Sequence, residues 1–212
     1  MKVNFTFLIF LHFFLLPFGL LQAQEGIQNK LYPLFDSLAL DTMTAYTDLF
    51  SAMKAPEKVV KLVLRKLKYK EFPKEIWNFP NLQYLDLSKN QLTEFPDSLG
   101  KLQSLQVLHI SKNHIETLPR EFGDLQHLVI FNISQNDLTM LPPQIGKLKK
   151  LKYLDLWENS IGTFPDELKD ISGNLKIIDL RVILINKEGQ ERIRKLLPST
   201  KIYFDPPCHC NQ

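Results

Sequence analysis

The sequence predicts an α/β solenoid: stacked turns of chain, a parallel sheet on the concave side, short helical or 3-10 turns on the convex side, and helical caps at both ends. Three observations predict it. First, Leu82, Leu105, Leu128 and Leu151 open stretches that repeat one another every 23 residues. Second, each opening Leu is followed at +3 and +5 by apolar residues: Leu85 and Leu87, Leu108 and Ile110, Phe131 and Ile133, Leu154 and Leu156. Third, each stretch has Asn at +8 (Asn90, Asn113, Asn136, Asn159) and an apolar-Pro pair at +13 and +14, as in Phe95-Pro96 and Leu141-Pro142. A period in the twenties with this internal spacing marks repeats that bury their apolar faces only against their neighbours.

Each part of the pattern has a physical task. The apolar residues at +3 and +5 alternate with polar ones, so they form a short strand with its leucines inward. The Asn follows the strand, where backbone groups lose regular partners. Its amide carries donor and acceptor and can serve its own and the adjacent turn. Left unpaired, such buried groups would cost about 1–3 kcal/mol each. The Pro fixes φ and lacks a donor, which suits the start of a short helical turn. Leu99-Gly100-Lys101-Leu102 and Ile145-Gly146-Lys147-Leu148 return the chain, with Gly supplying a tight turn.

The register extends back to Val59, Leu62 and Leu64, with Leu67 in the Asn slot. Forward, it needs one extra residue to reach Leu175, Ile178 and Leu180, with Ile183 in that slot, and a further 24 residues bring Ile202 and Phe204 to strand positions. This gives six repeats and a terminal strand. A helix over Thr47 to Lys54, with Leu49, Phe50 and Met53 on one face, caps one end. A helix over Lys187 to Leu197, with Ile193, Leu196 and Leu197 inward, caps the other. Gln24 to Tyr46 fits either a second cap helix or a loosely held leader.

The chain has 212 residues and 44% hydrophobic content, enough for one domain with a core. A net charge of +3 is mild and argues against a dedicated nucleic-acid binder. Met1-Lys2, the apolar run Val3 to Leu21 and the small residue in Leu21-Gln22-Ala23 read as a secretory signal cut after Ala23. An uncleaved anchor is the competing reading; His12, Pro17 and the cut site argue against it. The expected organisation is a signal at 1–23, a leader and helical cap at 24–58, the solenoid with its terminal helix and strand at 59–204, and a tail at 205–212. The product would be secreted or periplasmic, at the cell envelope, with no stable membrane insertion after cleavage. Cysteine occurs only as Cys208 and Cys210, so no disulfide framework supports the fold.

The stretch Leu141-Pro142-Pro143-Gln144-Ile145-Gly146-Lys147-Leu148-Lys149-Lys150-Leu151 follows an L-P-x-x-I-G-x-L-x-x-L pattern throughout. From about Val59 to Phe204 the chain resembles the 23-residue class of the leucine-rich repeat family. The resemblance implies a curved solenoid and protein binding in general, with no particular partner. Similar repeats occur in receptors, adhesins, signalling scaffolds and bacterial secreted proteins, so fold alone does not name the function.

Side chains between the inward leucines should form four columns on the concave face. The first is Lys61, Tyr84, Val107, Ile130, Tyr153, Ile177; the second Val63, Asp86, His109, Asn132, Asp155, Asp179. The third is Arg65, Ser88, Ser111, Ser134, Trp157, Arg181; the fourth Lys66, Lys89, Lys112, Gln135, Glu158, Val182. Trp and Arg are enriched at binding hot spots, and Trp157 and Arg181 would lie on adjacent strands, close enough for a cation–π contact. Tyr153, Asp155, Trp157, Glu158, Asp179 and Arg181 therefore make the expected partner-binding patch, joined by Tyr84 and His109. Against this, Trp157 could be covered by the C-terminal segment, and the apolar first column could be ordinary surface.

Catalytic patterns are missing: the chain has no G-x-S-x-G, no H-E-x-x-H and no phosphate-binding glycine loop. The serine column lacks a base other than His109, and the aspartates of the second column do not form a glycosidase pair. Cys208, His209 and Cys210 are weak metal candidates, since their spacing is not that of a closed zinc site. Asn132-Ile133-Ser134 is a glycosylation sequon inside a core strand. The expectation is a non-catalytic, cofactor-free module that binds a protein or peptide. The alternative is an adhesin or structural protein that binds glycan or envelope polymer through the basic end around Lys54 to Lys74.

Overall fold

Seven three-residue strands carry the repeat. In the computed structural model, which describes residues 33–205, they are β1 Lys61–Val63, β2 Tyr84–Asp86, β3 Val107–His109, β4 Ile130–Asn132, β5 Tyr153–Asp155, β6 Ile177–Asp179 and β7 Lys201–Tyr203. They pair in chain order and in parallel, as one sheet. Tyr84, Val107, Ile130, Tyr153 and Ile177 are register partners along the sheet, and Asp86, His109, Asn132, Asp155 and Asp179 form the next row. While the third and fourth columns lie just past the strand ends, the first two columns expected from the spacing are thus rows of the sheet. β7 extends them with Lys201 and Tyr203, and a parallel bridge from Tyr46 to Leu62 extends the sheet before β1. The signal at 1–23 and the cluster Cys208, His209 and Cys210 lie outside the described residues.

Five 3-10 turns return the chain: Lys74–Asn78, Asp97–Lys101, Arg120–Asp124, Pro143–Lys147 and Asp166–Ile171. Each begins directly after the repeat proline, so Pro73, Pro96, Pro119, Pro142 and Pro165 stand at the capping position. The turns bury Ile76, Leu99, Phe122, Ile145 and Leu168 against the strand leucines. Between them Phe72, Phe95, Phe122 and Phe131 stack in series, with ring centroids 5.2, 6.1 and 4.6 Å apart.

The glycines serve a different purpose from the one expected. Among the described residues no glycine has a positive φ. A Cβ on Gly146 would lie 2.7 Å from the Glu167 carbonyl oxygen, and one on Gly123 would lie 2.7 Å from that of Gln144. Glycine is therefore required where one 3-10 turn packs on the next, not to bend the chain. The left-handed conformation falls instead on Lys66, Lys68, Lys89, Lys112, Gln135, Glu158 and Val182. Six of these seven are the whole fourth column, which therefore sits on the turn where each strand ends.

The described residues form three α-helices: α1 Ser37–Thr42, α2 Leu49–Ala52 and α3 Lys187–Leu196. Expected over Thr47 to Lys54, α2 is a single turn, started by Asp48, which accepts from Ser51 N at 2.7 Å. Phe50 and Met53, expected inward, are exposed, because one turn presents only one side and Ala52 and Leu49 occupy it. α3 starts at Asn186, which accepts from Gly189 N at 2.8 Å, and it buries Ile193.

The asparagines join the turns. Asn113 donates to Ile110 O in its own turn at 2.9 Å and to Leu87 O in the preceding turn at 3.1 Å, and it accepts from Leu92 N at 3.0 Å. Asn136 and Asn159 repeat the pattern with Ile133 and Ile110, and with Leu156 and Ile133. Asn90 does the same with Leu87 and Leu64, and accepts from both Leu67 N and Tyr69 N. Since each Asn serves its own turn and the one before, the first repeat has no earlier turn to serve, and Leu67 is tolerated in its slot. Asn113→Ala is expected to cost about 1–3 kcal/mol and Leu108→Ala about 2–5 kcal/mol, both read by urea unfolding.

Candidate functional site

The sheet face is divided. Its first half is covered by the chain's own residues 33–43. Two glutamines that precede β2 and β3 hold this segment by its backbone. Gln83 Oε1 accepts from Phe35 N at 2.9 Å, Gln83 Nε2 donates to Pro33 O at 3.0 Å, and Gln106 Nε2 donates to Phe35 O at 2.7 Å. Lys61 Nζ donates to Leu40 O at 2.9 Å and Asp41 O at 2.7 Å, at the end of α1. Leu40 is fully buried among Val60, Tyr84 and Val107, with Phe35, Met43, Val63 and Ile130 packed around them.

This placement corrects three expectations. Gln24 to Tyr46 fitted either a second cap helix or a loosely held leader; its described part from 33 onward is docked, with α1 lying on the sheet face rather than over the end of the stack. Tyr84, expected on an open face, is buried under α1, and its phenol is pushed up to about 12 by burial, with Asp86 and Asp41 adding to the effect. Lys61, expected at the head of the first column on the open concave face, is itself buried at 8% exposure, its ammonium 4.4 Å from the Tyr84 ring. It is needed there to meet the free carbonyls at the end of α1. His109 lies half-buried at the border of the covered half, its ring 5.4 Å from that of Tyr84. Burial holds it below its ordinary value of 6.5, with Arg65 and Lys61 acting in the same sense and Asp86 and Asp41 opposing.

The second row has a structural duty the sequence reading missed. Asp86, Asn132, Asp155 and Asp179 each accept from the backbone N–H two residues on, at 2.9, 3.0, 3.1 and 3.1 Å. These turns close the strands. The signal was the recurrence of Asp or Asn at one slot, three residues before the left-handed position. Ser88 and Ser134, expected outward, are buried by the same turns.

The open half lies on β4 to β7. Tyr153 is 43% exposed, Ile130, Ile177 and Trp157 are partly exposed, and Glu158 is exposed at the edge. Asp155 accepts from Asn132 Nδ2 at 2.9 Å, and its carboxyl is raised above the ordinary range by burial and, less strongly, by Asp179. The cation–π contact that adjacent strands would allow between Trp157 and Arg181 is not among those the described residues make. Arg181 Nε donates to Asp179 Oδ1 at 2.9 Å, and its guanidinium lies 5.5 Å from the Tyr203 ring. Asp179, two residues earlier at the end of β6, gives a charged partner that Trp157 cannot match. Tyr203, with Lys201 4.8 Å from its ring, belongs to the patch and was missed. Strict alternation around Ile202 would have placed it there. Among the described residues no group of His, Cys, Asp and Glu is arranged to hold a metal ion, and no helix is long and apolar enough to cross a membrane.

Two outcomes follow from the covered half. Leu40→Asp is expected to release residues 33–43. Spectrophotometric titration would then show Tyr84 returning from about 12 toward 10.0, while hydrogen exchange at β4 to β6 stays slow. His109, being depressed, favours the fold above 6.5, and that contribution is lost as pH falls below it, because the unfolded chain then binds more protons. His109→Gln should flatten the fall in unfolding free energy between about pH 7.5 and 5.

The family model for a leucine-rich repeat region matches residues 58–200. No curated protein matches the chain in sequence. Among solved structures, a leucine-rich repeat protein of Leptospira interrogans is 29% identical with a TM-score of 0.64, over 77% of this chain and 48% of that one. The chain thus spans about half the length of that protein. The BIR2 ectodomain of Arabidopsis thaliana is 25% identical with a TM-score of 0.49, over 56% of this chain and 67% of that one. The plant peptide hormone receptor RGFR1 in complex with RGF2 is 34% identical with a TM-score of 0.48, over 53% and 18%. The family match takes in β1 to β6 and α3, the same stack the repeat spacing defines, and the chain belongs to the leucine-rich repeat family.

Proposed function

We propose that the protein is an exported, non-catalytic module that binds a protein or peptide on the open half of its sheet face. One observation carries this reading. The first half of the same face already holds a peptide, the chain's own 33–43, through an apolar row and backbone-directed polar side chains. The row continues past Ile130, which borders the covered half, to Tyr153 and Ile177, which nothing covers. The sheet face is the inner side of the stack, since strands pair about 4.8 Å apart while the 3-10 turns with their side chains need more room.

The ligand fitting this half has an apolar or aromatic anchor for Tyr153 and Trp157. It also has a basic group for Asp155, which accepts from Asn132 Nδ2 and Trp157 N and, among the described residues, forms no ion pair. Asp179 is already met by Arg181. Catalysis has no support on this face: its carboxylates are engaged in closing strands, and two of its serines are buried under them. Export rests on the signal pattern at 1–23.

Peptides selected from a displayed random library on the purified chain are expected to combine an aromatic or aliphatic residue with Lys or Arg. Tyr153→Ala with Trp157→Ala should weaken them about 30-fold or more, the scale of one hot spot, while leaving the unfolding midpoint within about 0.5 kcal/mol of the parent. Selection that yields nothing, or peptides indifferent to both changes, would sink the assignment. Export is tested separately by the N-terminus of the protein isolated from its source, expected at Gln24.

A further inference from the structure

The edge of the sheet at which the strands end carries a second surface, distinct from the open face. Its side chains are those of the left-handed turns, one per repeat: Lys66, Lys89, Lys112, Gln135, Glu158 and Val182, with φ between 54 and 61°. Each turn is tied to the next, as Lys89 N donates to Ser111 O at 2.8 Å, Lys112 N to Ser134 O at 3.0 Å and Glu158 N to Arg181 O at 3.0 Å. The side chains are therefore set in a row at fixed intervals and cannot drift apart.

The row is charged in opposite senses at its two ends. Three lysines occupy successive strands, where like charges side by side are unfavourable. Lys89 is held below its ordinary value by Lys66 and Lys112. Among the described residues none of the three forms an ion pair. At the other end Glu158, Asp137 and Asp205 surround a groove of about 1010 Å³ with an apolar side. There Val182 is 51% exposed and Leu184 fully so. Val182 is a β-branched residue in the left-handed region, an uncommon and costly placement. The lysine end has its own apolar tip, Leu67, 46% exposed between Lys66 and Lys68.

Charge and apolar surface on this edge are complementary under reversal. Two copies laid antiparallel, edge to edge, bring the first repeat of one against the sixth of the other. Leu67 then meets Val182 and Leu184, Lys89 meets Glu158, and Lys112 meets Gln135, and each contact occurs twice. We infer that the strand-end edge is a twofold interface between two copies of this chain, with Leu67 of each seated in the groove beside Leu184 of the other. Such an isologous contact closes on itself and needs no further partner. It also gives Lys89 a counter-charge in Glu158 and covers the exposed leucines. Between Lys66 and Val182 the row runs about 24 Å, five strand spacings, long enough for several pairs to act together.

Sedimentation equilibrium of the purified chain tests this. A monomer–dimer equilibrium that weakens with added salt is expected. Leu184→Asp, Lys89→Glu with Lys112→Glu, and Asp137→Lys with Glu158→Lys should each weaken the dimer about tenfold or more. An equal mixture of the two charge-reversed variants should recover a heterodimer, which also shows that both have folded. A chain that is monomeric at its highest soluble concentration overturns the inference. So does a dimer indifferent to all three changes, or a mixture that fails to associate when both variants keep the parent unfolding midpoint.

Discussion

The fold depends on how backbone groups are satisfied where each strand ends. A three-residue strand pairs only a few of its own N–H and C=O groups, and the chain must then turn inside the stack, away from water. The buried amide of Asn90, Asn113, Asn136 or Asn159 meets carbonyls of two successive turns and an N–H of the earlier one. Just before it, the Asp or Asn of the second row accepts from the backbone two residues on. These two ladders fix the strand ends in register, and with that register fixed the leucines, the phenylalanine stack and the 3-10 turns fall into line.

The same constraint decides which polar residues on the sheet face remain available. Aspartates that close strands are partly spent as binding groups, and Asp179 is further neutralised by Arg181. Asp155 differs because burial and a neighbouring carboxylate both oppose its charge. The sheet face is therefore less acidic in effect than its composition suggests, and its open part is defined as much by Ile130, Tyr153, Ile177 and Trp157 as by charge.

Residues 33–43 shape the face from the other end. They lie on it as a ligand would, with one buried leucine and captured carbonyls. Lys61, Gln83 and Gln106 occur only in the early repeats, so this mode of capture is confined to that half, and the later repeats present a different surface. The strand-end edge, where left-handed turns space the side chains evenly, is independent of both halves.

The repeat was legible in the sequence because each of its parts answers a local requirement. Alternation gives strands, Asn answers stranded backbone groups, and Pro starts the return turn, so the sheet order and register follow from spacing alone. The tyrosine and tryptophan of the fifth repeat were legible for the same reason. Other features depend on contacts between residues far apart in the chain, and spacing does not encode these. Gly123 and Gly146 are set by the approach of the next turn. Arg181 chose Asp179 and Tyr203 over Trp157. Tyr84 lost its exposure to Leu40, a residue 44 positions earlier. Local periodicity determined the architecture; which part of its surface stays open was decided by tertiary packing, because a short docked segment carries no repeat of its own.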